Sequence, residues 1–132
     1  MISNPKHGWS NFDLKTFHGT PSYLTDVPVD LLNAFIQYHL TGTGVAWFDE
    51  EGAEFTLVIT PHSLFIIEEK NKPVLHDFSK INISNLEKEL IEDIEKDLTG
   101  WSEFITDDDR EEVIIHRNEI RNKIAILKEL SR

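Results

Sequence analysis

The stretch "GVAWFDEEGAEFTLVITPHSLFIIEEKNKPVLHDFS", residues 44–79, decides the fold of this chain. It holds four extended apolar runs separated by the short polar connections DEEGA, PHS and KNKP. Connections of this length favour hairpins, because parallel strands need a crossover of about a dozen residues or more. The stretch therefore predicts a four-stranded antiparallel meander.

The second and third runs are the most apolar part of this predicted sheet. Phe55, Leu57 and Ile59 alternate onto one face, but Val58 lies on the other, and "LFII" (residues 64–67) is apolar on both faces. Strands with two apolar faces are usually buried on both sides. We therefore expect these two strands to be central and at least partly covered on each face. Trp47 alternates within the first run and is expected in the core.

Before the meander, the sequence predicts one strand and one helix. After a loose start, "NFDLKTF" (residues 11–17) alternates as a half-buried strand does. A helix is predicted over residues 27–40, with Thr25 or Asp26 as its N-cap and Gly42 as its left-handed C-terminal residue. Its predicted apolar stripe consists of Leu31, Leu32, Phe35, Ile36 and Leu40.

After the meander, the spacing predicts a second helix that ends at Gly100. Ser84 and Glu87 have the spacing of a capping box, in which each side chain satisfies a backbone donor at the helix start. Glu87 points into the apolar stripe, and the capping role explains its place there. That stripe consists of Leu86, Leu90, Ile91, Ile94 and Leu98.

A third helix is predicted from Thr106 or Asp107 to the end of the chain. Its acids cluster in the first turn and its bases in the second half, as the helix macrodipole favours. Its stripe is Val113, His116, Ile120, Ile124, Leu127 and Leu130, and we expect His116 to be a hydrogen-bonded core histidine. The predicted fold is thus one α+β domain over residues 1–132. A meander of four to five strands packs against an N-terminal helix and two C-terminal helices.

The net charge of −11 is unevenly distributed along the chain. Residues 84–112 carry 12 acidic and 3 basic side chains (−9), whereas residues 1–83 carry −5 and residues 113–132 carry +3. A negative field repels nucleic acid and anionic membranes and attracts basic proteins. We therefore expect a basic protein partner, with no nucleic acid and no membrane. No apolar run has the length of a signal peptide or a membrane span, so a cytoplasmic location is expected.

The sequence contains no recognisable catalytic or metal-binding motif. Cysteine is absent, which removes thiolate chemistry, and the six histidines lack the paired spacing of a zinc site. Asp107 and Asp109 alternate as in a calcium loop, but Glu112 and Asn118 replace the required glycine and glutamate. We predict no cofactor, no metal and no enzymatic activity. A small hydrolase whose carboxylates and histidines converge only in the fold stays an alternative.

In size, lack of catalytic residues and acid-rich helices, the chain resembles in general features the bacterial immunity proteins that neutralise nuclease toxins. No motif carries this resemblance. It implies a small inhibitor that presents carboxylates to the cationic groove of a basic protein. Trp101 is either a partner anchor beside the acidic helix start or a plug between two helices. The predicted protein-binding residues are Glu89, Glu92, Glu95, Trp101, Asp107, Asp108, Asp109 and Glu111.

Ile115 and Ile126 project opposite to the main stripe of the last helix and lie eleven residues apart. Either a second layer covers them or they meet another chain. A homodimer built on this helix is therefore an alternative, and with it the role of a homo-oligomeric structural or regulatory subunit.

Overall fold

In the computed structural model, which describes residues 1–106 and 109–132, the chain has an α+β fold with two antiparallel sheets. The N-terminal sheet contains β1 (Ile2–Lys6), β2 (Trp9–Leu14) and β3 (Phe17–Gly19), in that order. The second sheet has the order β4 (Gly44–Asp49), β5 (Glu54–Ile59), β6 (Leu64–Glu69) and β7 (Pro73–Asp77). The helices are α1 (Val27–Thr41), α2 (Ile83–Lys96), α3 (Leu98–Glu103) and α4 (Arg110–Leu130).

The four-stranded meander is confirmed, and β5 and β6 are its central strands. Phe55, Leu57, Leu64 and Ile66 point to the inner face and are fully buried. We expected these two strands to be covered on at least part of both faces. Their inner face is fully covered, whereas on their outer face Val58 and Phe65 are half-buried and Ile67 is 36% exposed. α1 and the aromatic side chains of the N-terminal sheet pack on the inner face, while large apolar side chains of the opposite face are exposed.

The N-terminal segment departs from the prediction in two ways. The first residues are not loose, because β1 pairs with β2 at the edge of a three-stranded sheet. The predicted strand over residues 11–17 is a hairpin, in which Leu14 pairs with Phe17 and the intervening Lys15 has a left-handed φ of 53°. The predicted alternation holds within β2, where Phe12 and Leu14 are buried.

An aromatic cluster joins the two sheets. Phe12 and Phe17 of the N-terminal sheet meet Phe55 of β5, each with ring centroids 5.1 Å apart. Phe48 of β4 extends the cluster, at 6.1 Å from Phe12. Each of these rings is nearly or completely buried, so together they form a large part of the apolar interior.

The predicted helix α1 is confirmed, and Gly42 ends it with a φ of 85°. Leu40 is not part of its buried stripe and is 67% exposed. At 100° per residue, nine positions place Leu40 half a turn away from the fully buried Leu31. Gly44 lies where β4 passes under this helix. A Cβ atom there would come within 1.9 Å of the Ala34 carbonyl oxygen, so the two backbones are in direct contact.

The capping box predicted for α2 is wrong. Asn82 is the N-cap, and its side chain accepts a hydrogen bond of 3.0 Å from the Asn85 N–H. The helix also ends earlier than predicted, because the Asp97 carboxylate accepts from the Gly100 N–H and starts the separate short helix α3. Leu90 and Ile94 of the predicted stripe are fully buried.

Helix α4 begins at Arg110, later than predicted. Asp109 is the N-cap, and its carboxylate accepts hydrogen bonds from the backbone N–H groups of Glu111 and Glu112. Thr106 is not the cap, and Asp107 lies outside the described residues. Four members of the predicted stripe are buried against α1 and α3: His116, Ile120, Ile124 and Leu127. Among the described residues, no helix has both the length and the apolar character required to cross a bilayer.

Candidate docking surface

Two of the acids predicted on α2 are already paired within the fold. Glu89 accepts a hydrogen bond of 2.7 Å from the Met1 ammonium group, which also contacts the neighbouring Asp93 at 2.6 Å. Glu95 pairs with Lys128 of α4 at 3.6 Å. Glu92 is exposed. Part of the predicted acidic surface is therefore paired within the fold, although the Glu89 and Glu95 side chains stay 54% and 52% exposed.

The basic half of α4 lies beside the acidic helix α2. Arg121 and Lys128 line a surface hollow of about 360 Å³ together with Glu95. The positive charge of residues 113–132 therefore offsets the negative charge of α2 in space, although the two are separate in sequence. Since the field depends on the summed charges, α2 is a weaker attractor of cations than its composition indicates.

Trp101 is completely buried, so it is not available as a surface anchor. Its ring packs against Phe104 with centroids 5.4 Å apart, on a short helix that contacts both α4 and β1. The alternative interpretation, a plug between helices, describes its position. Asp109 and Glu111 are exposed in the first turn of α4. Asp107 and Asp108 lie outside the described residues.

The outer face of the four-stranded sheet carries an exposed apolar row. Register places Trp47, Thr56, Ile67 and Leu75 side by side across all four strands. Trp47 is 45% exposed, Ile67 36% and Leu75 63%. The expectation that Trp47 lies in the core is therefore wrong, since alternation in β4 points it away from the buried Phe48. We call these four residues the apolar row.

A row of carboxylates lies next to the apolar row on the same face. Asp49 pairs with Glu54, and Glu54 pairs with Glu69, across three neighbouring strands. The pKa of Glu69 is raised, chiefly by a hydrogen bond with the Glu54 carboxyl group. Desolvation and repulsion from the Glu54 charge raise the pKa further. Like charges directly opposite each other on a sheet are destabilising. We call Asp49, Glu54 and Glu69 the acidic row.

A third row completes the outer face. Val45, Val58 and Phe65 continue the apolar surface on the other side of the apolar row. Val45 is exposed, and the other two are half-buried. The apolar residues on both faces of β6 already indicated this outer surface in the sequence. We misread them as evidence of covering layers, but the described part of the chain places no element there.

His116 is the hydrogen-bonded core histidine that the sequence predicted. Its Nδ1 lies 2.9 Å from the Ser102 carbonyl oxygen and its Nε2 2.8 Å from Asp26 Oδ2. The Ser102 carbonyl oxygen and the Asp26 carboxylate both accept, so this geometry favours the protonated ring, in which both nitrogens donate. Burial lowers the pKa of His116, but the hydrogen bond and attraction of Asp26 outweigh it, so the pKa is raised.

The same histidine belongs to a group with metal-ligand spacing. Ligand atoms of Asp26, His116 and Glu119 lie within 4.8 Å of one another. A metal ion would have to displace the proton from His116 Nε2, which Asp26 already stabilises. We therefore interpret the group as an ion pair that fixes α4 against the start of α1.

Glu87 is buried in a polar junction of three helices, which explains its place in the apolar stripe. Its carboxylate accepts hydrogen bonds from His39 Nε2 of α1 and, at 2.9 Å, from Ser131 Oγ after α4. Ser131 Oγ also lies 3.5 Å from the same His39 nitrogen. In a catalytic triad the serine contacts one ring nitrogen of the histidine and the orienting carboxylate contacts the other. Here Ser131 and Glu87 both approach Nε2 of His39, so the junction lacks the geometry of a triad.

Ile115 and Ile126 are exposed on α4, and Ile114 beside them is also exposed. No second layer of the described chain covers them. No family model, curated protein or solved structure matches this chain.

Proposed function

We propose that this chain is an acidic protein-binding module that inhibits a basic protein, as a bacterial immunity protein inhibits a nuclease toxin. The observation that carries the proposal is the uncovered outer face of the four-stranded sheet. A contiguous apolar patch on a soluble protein is typical of protein–protein contact sites. The net charge of −11 favours a partner of opposite sign. Such an inhibitor would act in the cytoplasm.

Growth rescue tests this function. The genes beside its own are searched for a basic toxin domain, the chain is co-expressed with that domain, and we expect growth to be restored. The association rate is then measured against ionic strength, and we expect it to fall as salt screens the attraction. Failure to rescue growth, or an association rate insensitive to salt, contradicts an inhibitor of a basic protein.

The helix charges can be tested in the same assay. Glu92→Lys with Glu95→Lys reverses two exposed acids of α2. We expect the association rate to fall at low salt, because steering depends on the summed field. We expect the fall to be modest, because Arg121 and Lys128 already offset this part of the surface.

A homo-oligomeric subunit is the second candidate, favoured by the exposure of Ile115 and Ile126. Isolated exposed apolar residues are common on monomers, so this observation is weaker than the continuous sheet face. Sedimentation of the wild type and of Ile115→Lys with Ile126→Lys separates the two. A dimer that this double variant dissociates would favour the subunit role.

A further inference from the structure

We infer that the outer face of the four-stranded sheet binds a basic protein surface in one fixed orientation, with an apolar side chain of the partner on the apolar row and cationic side chains on the acidic row. This inference rests on the proposed function and names the surface and the chemistry of its partner.

The geometry supplies both halves of this surface on one rigid element. Trp47 and Asp49 are two residues apart on β4, Thr56 and Glu54 on β5, and Ile67 and Glu69 on β6. Consecutive residues on one face of a strand are about 7 Å apart, so the two rows run side by side. A partner that places a cation on the acidic row therefore brings its neighbouring side chains over the apolar row.

Charge complementarity favours a basic partner over a second copy of this chain. The residues of the four-stranded sheet and its connections, 44–77, carry seven acidic and two basic side chains, a net charge of −5. Two copies packed through this face would bring both sets of carboxylates into one interface, and like charges brought together across an interface cost several kcal/mol. A cationic partner instead relieves the repulsion between Glu54 and Glu69.

The size of the face indicates how far the contact must extend. Four strands about 4.8 Å apart and six residues long cover about 400 Å². A standard interface buries about 800 Å² on each partner. The partner must therefore also reach the flanking connections. The β4–β5 connection holds the exposed Glu51 beside the end of the acidic row, whereas the Glu50 carboxylate accepts a hydrogen bond of 2.8 Å from the Thr20 N–H and faces the N-terminal sheet.

The two rows should have different kinetic signatures. Apolar anchors at the centre of an interface act mainly on dissociation, whereas charges at its rim act on the association rate and on its salt dependence. Removing the apolar row should therefore speed dissociation without changing the salt slope. Removing the acidic row should slow association and flatten that slope.

The experiment uses a defined probe and matched control variants. A hexapeptide of alternating arginine and leucine is titrated into the 15N-labelled full chain, and backbone and indole shifts are followed by NMR. We expect the largest shifts at Trp47, Thr56, Ile67 and Glu69. We expect Leu75→Ser and the pair Glu54→Gln with Glu69→Gln to weaken binding several-fold. The first control is Leu40→Ser, because Leu40 is about as exposed as Leu75 but lies on α1. The second control is Glu92→Gln with Glu112→Gln, which removes two exposed helix charges. Both controls should bind the peptide as the wild type does.

Each other outcome overturns the inference in a recognisable way. Shifts confined to α2 and α4 would place the cation-binding surface on the helices, and the proposed function would survive. No binding of the peptide at any site would remove the support for a basic partner as well. A dimer in sedimentation that Leu75→Ser dissociates would show that a second copy occupies the face.

Discussion

Asp26 and His116 are ninety positions apart in sequence, yet Asp26 Oδ2 lies 2.8 Å from His116 Nε2 and joins the start of α1 to the middle of α4. Both groups are largely buried, and the second ring nitrogen of His116 donates to α3 through the Ser102 carbonyl. The imidazolium thus connects three helices.

The raised pKa of His116 gives this connection a defined pH dependence. The folded protein binds the proton more tightly than the unfolded chain, so the contribution is fully present below about pH 6.5 and is lost as the pH rises through the folded pKa. We expect Asp26→Asn to lower the pKa of His116, measured by NMR titration of the imidazole protons. The exposed His62 is the internal control. An unchanged His116 titration in the variant would contradict the ion pair.

Asp30 also has a raised pKa, but here the ionised form of the side chain destabilises the fold. Burial raises its pKa to about 6 from an ordinary 3.8, with repulsion from Asp26 and Glu119 adding to the effect. Stability therefore falls as the pH rises from about 4 to about 6. The full difference corresponds to about 3 kcal/mol, which solvent screening of this half-buried group reduces to about 1 kcal/mol. We expect Asp30→Asn to stabilise the protein by about that amount at pH 7.5 and not at pH 4, measured by urea melts.

The corrected helix start of α2 can be tested by comparing two neighbouring side chains. Asn82→Ala should cost about 1 kcal/mol through loss of the cap, whereas Ser84→Ala should change stability by less than about 0.5 kcal/mol. Leu90→Ala, which opens a cavity in the core, sets the scale at about 2 to 5 kcal/mol. Urea denaturation gives all three values. A larger loss for Ser84→Ala than for Asn82→Ala would restore the capping box.

The three tryptophans should differ in access to a neutral quencher. Trp9 and Trp47 are partly exposed and Trp101 is fully buried. A variant with Trp9→Phe and Trp47→Phe reports on Trp101 alone. We expect blue-shifted emission and acrylamide quenching several-fold weaker than in Trp101→Phe, which reports on the other two. Equal quenching in the two variants would mean that Trp101 is accessible and would return it to the list of partner anchors.

Metal binding should be weak at neutral pH. The group of Asp26, His116 and Glu119 offers an oxygen-rich set of ligands, but its single imidazole is paired with Asp26, which favours the protonated ring that a metal would have to deprotonate. We expect calorimetric titrations with zinc and with calcium at pH 7 to show no binding tighter than micromolar. Sub-micromolar zinc binding that His116→Gln abolishes would contradict this, as would sub-micromolar calcium binding.

The elements that the sequence predicted well are those set by local pattern. Short polar connections predicted the meander, and helical spacing predicted the buried Leu90 and His116. The polar contacts were not predictable, because they join distant segments. Glu87 meets His39 and Ser131 over 48 and 44 positions, so the nearer Ser84 looked like its partner.

Our proposed docking surface differs from the one predicted on the helices for a related reason. Counting charges along the chain assigned the acidity to α2, whereas packing places the basic half of α4 beside that helix. An apolar pattern on both faces of β6 indicates two apolar surfaces but does not indicate which of them the same chain covers. That depends on how many layers the whole fold provides, and residues 1–106 and 109–132 provide none for the outer face.

The contact between Gly44 and Ala34 bears on how relatives of this chain could be recognised. Surface acids drift freely and core residues exchange for others of similar size. A side chain at position 44 would instead have to displace the helix backbone itself, whose carbonyl oxygen occupies the space of a Cβ atom. Diverged sequences that share this architecture should therefore still show a glycine two positions after the glycine that ends the first long helix, at the entry to the strand that follows. A search pattern anchored on that pair, and on four extended runs behind it, would detect kinship that overall similarity no longer reveals.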